Sequence, residues 1–160
     1  MHKSLPIALF FLLLGTFAWA APAWRSFTPP KESFQVQLPV GEVTDQSNPQ
    51  SRQWMLVTRG KYFFLVGYAK QDNSPAATAK FTKELVTGAH IAETGHKAFS
   101  QNGVKGTEVA GTIAISKTKS MPTRLRVFAN RDRIYWLNAT VLLPSDRVMA
   151  DKFFQSFKFK

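Results

Sequence analysis

The chain has 160 residues, of which 44% are hydrophobic, and it carries 21 Lys+Arg against 10 Asp+Glu with no cysteine. This length and apolar fraction predict one globular domain whose core is large enough to fold without disulfide bonds. The lack of cysteine excludes thiol nucleophiles, Cys-ligated zinc, iron–sulfur clusters and a lipidated cysteine.

The first 20 residues are typical of a secretory signal peptide. Lys3 supplies a positive start, an apolar run covers residues 7–14, and Ala18 and Ala20 place small side chains at −3 and −1. We therefore expect cleavage after Ala20, which leaves residues 21–160 as a single domain. Loss of Lys3 lowers the formal net charge from +11 to +10.

An uncleaved N-terminal membrane anchor is the alternative, because the apolar stretch at 5–21 is close to the shortest that spans a bilayer. Charged residues interrupt every later apolar stretch, so we expect no transmembrane segment after cleavage. The expected location is the periplasm or the medium outside the cell.

The first half of the mature chain contains three strand patterns. Residues 34–38 alternate apolar and polar side chains, which predicts a short half-buried strand. Residues 53–58 and 62–68 are rich in aromatic and β-branched side chains and flank an Arg-Gly-Lys turn at 59–61, which predicts a hairpin. Residues 62–66 show no polar alternation, so we expect helices to cover both faces of that strand.

A helix is predicted to begin after Ser74, because serine is a favoured N-cap and Pro75 suits the first helical position. Apolar side chains then recur at every fourth residue from Ala77 to Ala89, and Gly88 lies near the end of this pattern.

The second half is predicted to be mainly extended. Strands are expected at 96–100, 104–115, 123–128 and 134–143, with a hairpin turn at Asn102-Gly103. Ser145 is expected to cap a last helix whose apolar side consists of Val148, Phe153, Phe154 and Phe157. The chain is thus predicted to be α+β, with two or three helices against an antiparallel sheet of about six strands.

Four short patterns lie in order along residues 24–160: Trp24 and Phe27 before Phe34-x-Val36-x-Leu38-Pro39, then Asn102-Gly103-x-x-Gly106-x-Glu108, then Arg131-x-x-x-Tyr135, and finally Lys152-Phe153-Phe154-x-Ser156-Phe157. They resemble the PsbP-like group of small exported bacterial proteins, which shares its fold with the PsbP subunit of photosystem II and the Mog-type Ran-binding proteins. The resemblance implies an α/β/α sandwich around a central antiparallel sheet. It implies no catalytic residues, and the better-known members of the group act by binding other proteins.

A metal site would have to use His90, Glu93 and His96. On a helix these three side chains would fan over about 120°. In a strand, the two imidazoles would lie about 20 Å apart and Glu93 would point away. Because only a bent loop could gather them, we expect an ordinary surface loop and no metal or other cofactor.

We expect no enzyme. No Gly-x-Ser-x-Gly motif occurs, and the acidic residues are scattered singly along the chain. Residues 102–106 lack the Lys-Ser/Thr pair of a phosphate loop, and Gly103 and Gly106 are interpreted as a turn followed by a bulge. An enzyme whose site is built from distant residues remains a weaker alternative.

Basic residues are concentrated between 117 and 133, where Asp132 is the one acidic residue. The predicted basic patch consists of Lys117, Lys119, Arg124, Arg126, Arg131 and Arg133. Such a patch could dock on anionic lipid, envelope polysaccharide or an acidic protein, whereas nucleic acid is not expected as a partner. Alternatively, its charges could protect an exposed strand edge and keep the protein soluble.

Trp136 shares its predicted strand face with Ile134, Asn138 and Thr140. An exposed Trp136 would suggest a ligand groove, but we expect a helix to cover this face. The leading functional hypothesis is therefore a non-catalytic exported domain that binds a protein or a cell-envelope component. The alternative is a polyanion or anionic-membrane-surface binder that acts through residues 117–133.

Overall fold

The computed structural model describes residues 22–58, 62–143 and 146–160. The predicted signal peptide, the turn at 59–61 and the cap at Ser145 lie outside these residues. The elements in chain order are β1 (Trp24–Phe27), β2 (Phe34–Pro39), β3 (Val43–Asp45), β4 (Ser51–Thr58), β5 (Tyr62–Lys70), α1 (Pro75–Gly88), β6 (Ile91–Gln101), β7 (Val104–Ala114), β8 (Ser120–Asn130), β9 (Arg133–Val141), α2 (Arg147–Ser156) and β10 (Lys158–Phe159).

Seven strands form a central antiparallel sheet in the order β3-β4-β5-β9-β8-β7-β6, and β1, β2 and β10 form a separate three-stranded sheet. This confirms the predicted α+β class. Among the described residues the central sheet has seven strands rather than about six, because residues 43–45, which show no strand pattern in the sequence, pair with β4 at one edge. Neither of the two described helices is long and apolar enough to cross a bilayer.

One face of the central sheet, which we call the closed face, is covered by α2 and the three-stranded sheet. Phe34, Phe64 and Phe153 belong to its core and are fully buried. The α2 helix buries Ala150, Phe153 and Phe154. Val148, predicted on the apolar side of this helix, is instead 73% exposed. At 100° per residue it lies on the opposite side of the helix from Ala150.

The other face, which we call the open face, is covered by α1. As predicted, Ser74 caps this helix, and its Oγ accepts a hydrogen bond of 3.2 Å from the Ala77 N–H. The Phe81 ring lies 5.4 Å from the Trp136 ring, so a helix does cover Trp136. No residue of α1 is itself buried, however. The sandwich is α/β/α, but its two faces are packed very differently.

The β5 strand shows this difference within consecutive residues. It lies between β4 and β9, in the interior of the central sheet. Phe64 and Val66 point to the closed face and are fully buried. Phe63 and Leu65 point to the open face and are only half-buried. The expected double cover of this strand is therefore complete on the closed face and partial on the open face.

The hairpin between β6 and β7 turns at Asn102 and Gly103, both of which have positive φ angles, as a tight hairpin turn requires. Gly106 is not at a bulge, contrary to the prediction. It pairs regularly with Phe128, and a Cβ there would lie 2.2 Å from the Val127 carbonyl oxygen. Glycine at this position permits a close approach between β7 and β8.

Candidate functional site

The residues of the predicted basic patch do not form one surface. Lys117 and Lys119 lie in the hairpin before β8, whereas Arg131 and Arg133 lie at its far end. The 11 residues of β8 span about 33 Å. The two ends of the patch are therefore separated by most of the length of the sheet.

The middle of the patch faces inward. Arg124 and Arg126 share one side of β8, and this side is the closed face. Arg124 Nη2 lies 2.9 Å and Arg126 Nε 2.6 Å from the Glu108 Oε2 atom. The Glu108 side chain is only 4% exposed. Arg124 Nη1 also donates to Asp151 on α2 at 2.5 Å, and both guanidinium groups lie over the Phe154 ring.

These contacts fix the charge state of the group around Glu108. Burial by itself raises the pKa of Glu108, but hydrogen bonds from Arg124 and Arg126 hold it below its ordinary value of 4.5. Burial by itself lowers the pKa of Arg124, but its hydrogen bonds to Glu108 and Asp151 raise it. Two of the six predicted basic residues thus neutralise carboxylates inside the protein and are not presented to a partner.

Arg133 also forms contacts within the protein. Its Nη1 donates to Glu32 Oε2 at 3.1 Å, and its guanidinium lies 4.1 Å from the centre of the Tyr68 ring. Tyr68 donates to the other oxygen of Glu32 at 2.9 Å, and burial together with this carboxylate raises the pKa of Tyr68. Of the predicted patch, Lys117, Lys119 and Arg131 remain as exposed side chains with no ion pair among the described residues.

The strand-edge interpretation of the patch is wrong for β8. This strand lies between β9 and β7, so its backbone is paired on both sides. The edges of the central sheet are the short β3 and the long β6. The β6 edge carries Lys97 and a bulge between Glu93 and Gly95, which are common devices against edge-to-edge pairing.

The metal candidates lie at the start of β6 rather than in a loop. His90 precedes the strand with a φ of 52°, and Glu93 and His96 lie within it. Residues three apart in a regular strand face opposite sides of the sheet. The bulge adds one residue between Glu93 and His96, so both side chains lie on the open face. His96 Nδ1 is 2.9 Å from Glu93 Oε1. In the described part of the chain, no three such residues gather as a metal site.

Sequence reasoning missed an apolar groove on the open face, although it considered Trp136 and the apolar run of β5. The groove has a volume of about 460 Å³ and lies between α1 and strands β5, β8 and β9. Its principal lining side chains are Phe63, Leu65, Phe81, Leu85, Leu125 and Trp136. The small number of large apolar side chains in α1, which are Phe81, Leu85 and Val86, was the available signal that this helix covers only part of the sheet.

The floor of the groove contains a fixed polar cluster. Asn138 Nδ2 donates to Thr123 Oγ1 at 3.0 Å and to the Arg124 carbonyl at 3.1 Å. The hydroxyl groups of Thr123 and Thr140 are 2.8 Å apart. Because these groups satisfy one another, the groove presents mainly carbon atoms to a ligand. Among the described lining residues, Gln53, Glu84 and Asn138 carry the polar side chains.

No family model and no curated protein matches this sequence significantly. Solved structures do share the fold. Cyanobacterial PsbP (CyanoP) from Synechocystis sp. PCC 6803 matches with a TM-score of 0.63 and 10% identity, over 89% of this chain and 96% of that chain. The predicted resemblance to the PsbP-like group is therefore confirmed at the level of the fold.

Two further structures show the same arrangement. A Bacteroides thetaiotaomicron VPI-5482 protein matches with a TM-score of 0.57 and 11% identity, over 84% of this chain but 48% of that longer chain. A Pseudomonas aeruginosa protein, PA94, matches with a TM-score of 0.52 and 10% identity, over 83% of this chain and 94% of that chain. At these identities the similarity concerns architecture alone.

Proposed function

We propose that the protein is a non-catalytic exported domain that binds an apolar part of a protein or cell-envelope component in the groove on the open face. The observation that carries this proposal is the groove itself, which leaves Phe63 and Leu65 half-buried beneath a helix with no buried residue. A volume near 460 Å³ lies within the range of ordinary ligand sites, which are concave and mostly apolar.

The chemistry around the groove supports binding rather than catalysis. The buried carboxylates of Glu108 and Glu32 are held by arginines on or near the closed face and stabilise the fold. The amide of Asn138 is occupied by Thr123 and a backbone carbonyl. The resemblance to the PsbP-like group, whose better-known members bind proteins, points in the same direction.

Export is part of the proposal and can be tested separately. Mass spectrometry of the protein recovered from the exported fraction is expected to show Ala21 as its first residue. Membrane-bound protein that retains Met1 would instead establish an anchor.

The groove is tested by site-specific photocrosslinking in intact cells. With p-benzoylphenylalanine in place of Phe63, we expect a defined crosslinked product, because this side chain lines the groove. The matched control carries the same group in place of Lys105, an exposed residue near the β6–β7 turn. Mass spectrometry then identifies the partner.

The second variant in this experiment adds Leu65→Gln, which makes the groove polar without touching the closed face. We expect it to abolish the product at position 63 while the melting temperature changes little. Because contact between apolar groups is weakly sensitive to ionic strength, raising the salt should leave the product intact. Equal products from positions 63 and 105, or a product that Leu65→Gln does not reduce, would rule out the groove.

A further inference from the structure

All of the exposed large hydrophobic side chains in the described part of the chain are aliphatic. Their exposed fractions lie between 50% and 73%. They are Val40, Val57, Ile115, Leu143 and Val148. They come from five different connections or element ends, so no single amphipathic segment explains them.

Sheet register places these residues at one end of the molecule. Thr58 pairs with Tyr62, which pairs with Val141, so Val57 and Leu143 lie at the same end of the sheet. Ala114 pairs with Ser120, and Thr123 pairs with Thr140, which places Ile115 at this end as well.

The remaining two residues lie at the same end. Gly41 lies against Leu56, near the end of β4, and Val40 precedes it. Val148 follows Arg147, which lines a cleft together with Val141 and Pro122. We call this end, defined by the five exposed aliphatic residues, the aliphatic end.

Exposed cations lie beside these aliphatic side chains. Lys117 and Lys119 follow Ile115 in the β7–β8 hairpin, and Arg147 lies between Asp146 and Val148. Lys117, Lys119 and Arg147 are exposed and have no ion pair among the described residues. Glu42 is the exposed acidic residue in the segment next to Val40.

We propose that the aliphatic end docks on an anionic lipid bilayer, with the strands roughly perpendicular to the membrane. Separate aliphatic side chains beside lysines suit the boundary between acyl chains and negatively charged headgroups. A protein interface favours aromatic residues and arginine at its centre and is depleted in lysine. From β4 to β7 the end is about 20 Å wide, at about 4.8 Å per strand.

The position of the groove agrees with this orientation. Phe63 and Ile113, which both line the groove, are the second residue of β5 and the second-last residue of β7. Both positions are next to the aliphatic end, so an apolar ligand held in the groove would lie close to the bilayer. Docking by this end does not require the groove to bind anything, and the two proposals can fail separately.

Vesicle sedimentation tests the proposal with the processed protein recovered after export. We expect binding to vesicles of phosphatidylcholine with 30% phosphatidylglycerol, and much weaker binding to phosphatidylcholine alone. Lys117→Gln with Lys119→Gln should weaken binding by about 25-fold, at roughly fivefold per basic residue. Ile115→Ser with Leu143→Ser should weaken it by at least about tenfold, because less apolar surface enters the bilayer.

The matched charge control is Lys70→Gln with Lys105→Gln, which removes two exposed lysines from the opposite end of the sheet. This control should bind nearly as well as the unaltered protein. Equal loss in the two lysine pairs would mean bulk electrostatic attraction and would overturn the proposal. So would the absence of vesicle binding, or binding that the serine pair does not weaken.

Insertion is tested with Ile115→Trp. We expect a blue-shifted emission for the new tryptophan on anionic vesicles and quenching by lipids brominated on the acyl chain. A tryptophan at position 115 that stays in water while the protein sediments with vesicles would contradict docking by this end. Photocrosslinking from position 115 to a protein and not to lipid in cells would also contradict it.

Discussion

The two faces of the central sheet are each covered by a helix, but they are packed to different degrees. On the closed face, Phe153 and Phe154 of α2 are buried, and a second small sheet covers the rest. On the open face, Phe81 and Leu85 of α1 are only half-buried, and a groove remains beside them. One face of the sheet therefore supplies most of the stable core, whereas the other leaves room for a ligand.

The difference follows from the width of each apolar stripe. In α2, Ala150, Phe153 and Phe154 follow the i, i+3, i+4 pattern and Phe157 follows directly after the helix, which gives a broad contact surface. In α1, Phe81, Leu85 and Val86 pack against the sheet, and the turn before Phe81 offers only the small side chain of Ala77. This smaller contact surface covers only part of the seven-stranded sheet.

The largest expected effect comes from a charge placed on the closed face. Phe64→Asp buries an unpaired carboxylate where the side chain is fully buried and should destabilise the fold by at least about 4 kcal/mol. The control is Phe63→Asp, one residue away on the open face, where the carboxylate can reach water in the groove. The loss of unfolding free energy in Phe63→Asp, measured by urea denaturation, should be less than half of that in Phe64→Asp. Equal losses would contradict the distinction between the faces.

Truncation of one aromatic residue on each helix should give the next largest difference. Phe153→Ala leaves a cavity in the closed face and should cost about 3–5 kcal/mol. Phe81→Ala removes a half-buried ring that lies over Trp136 and should cost less than about 2 kcal/mol. Thermal unfolding of both variants measures the contrast, which would be absent if α1 were packed as tightly as α2.

Removing the Glu108 carboxylate should cost about 3 kcal/mol at neutral pH, because the partly buried guanidinium groups of Arg124 and Arg126 lose the carboxylate that they share. The pKa of Glu108 is lower in the folded state than its ordinary value of 4.5. Its stabilising effect is therefore fully present above about pH 5 and is lost as the pH falls through the folded-state pKa.

A titration of unfolding free energy in the wild type and in Glu108→Gln measures this effect. The two curves should be parallel above about pH 5 and should converge at lower pH as the wild-type carboxyl becomes protonated. A constant difference between the curves down to pH 2 would show that Glu108 does not titrate in this way.

The smallest expected effect concerns the two parts of the predicted basic patch. Lys117→Gln, Lys119→Gln and Arg131→Gln remove exposed charges and should each change the unfolding free energy by no more than about 0.5 kcal/mol. Arg126→Gln, measured in parallel by urea denaturation, should cost at least about 2 kcal/mol because it leaves Glu108 with fewer donors. Similar losses of unfolding free energy in all four variants would contradict the distinction between exposed basic residues and the ion-paired Arg126.

Periodicity was sufficient for much of the fold. The cap at Ser74, the turn at Asn102-Gly103 and the interior strand around Phe64 all follow from local residue patterns, because backbone preferences act over a few residues. The short β3 strand was missed because three residues are too few to show a period. The sequence predicted a bulge at Gly106, whereas the structure has one beside Glu93. Glycine occurs both at bulges and where strands approach closely, so its presence did not distinguish the two.

The burial and ion pairing of part of the basic patch could not be predicted from local sequence patterns. Arg124 and Arg126 alternate with Leu125 as an exposed charged face would, and only the register that brings Glu108 opposite them reveals their pairing. The groove depends on how far α1 extends across the sheet, which no local pattern encodes. Clustering of Val57, Ile115 and Leu143 likewise depends on strand order, which joins residues distant in the sequence.

The pairing of β2 with β10 has a consequence for the order of folding. Residues 34–35 form their ladder with residues 158–159, so this part of the closed face closes a loop that includes most of the domain. Loops of this length are slow to close, and contacts between distant segments lower folding rates. We expect the hairpins β6–β7 and β8–β9 to form early and the ring of Phe34 to become buried last. Completion of this part of the closed face therefore requires residues 158–159.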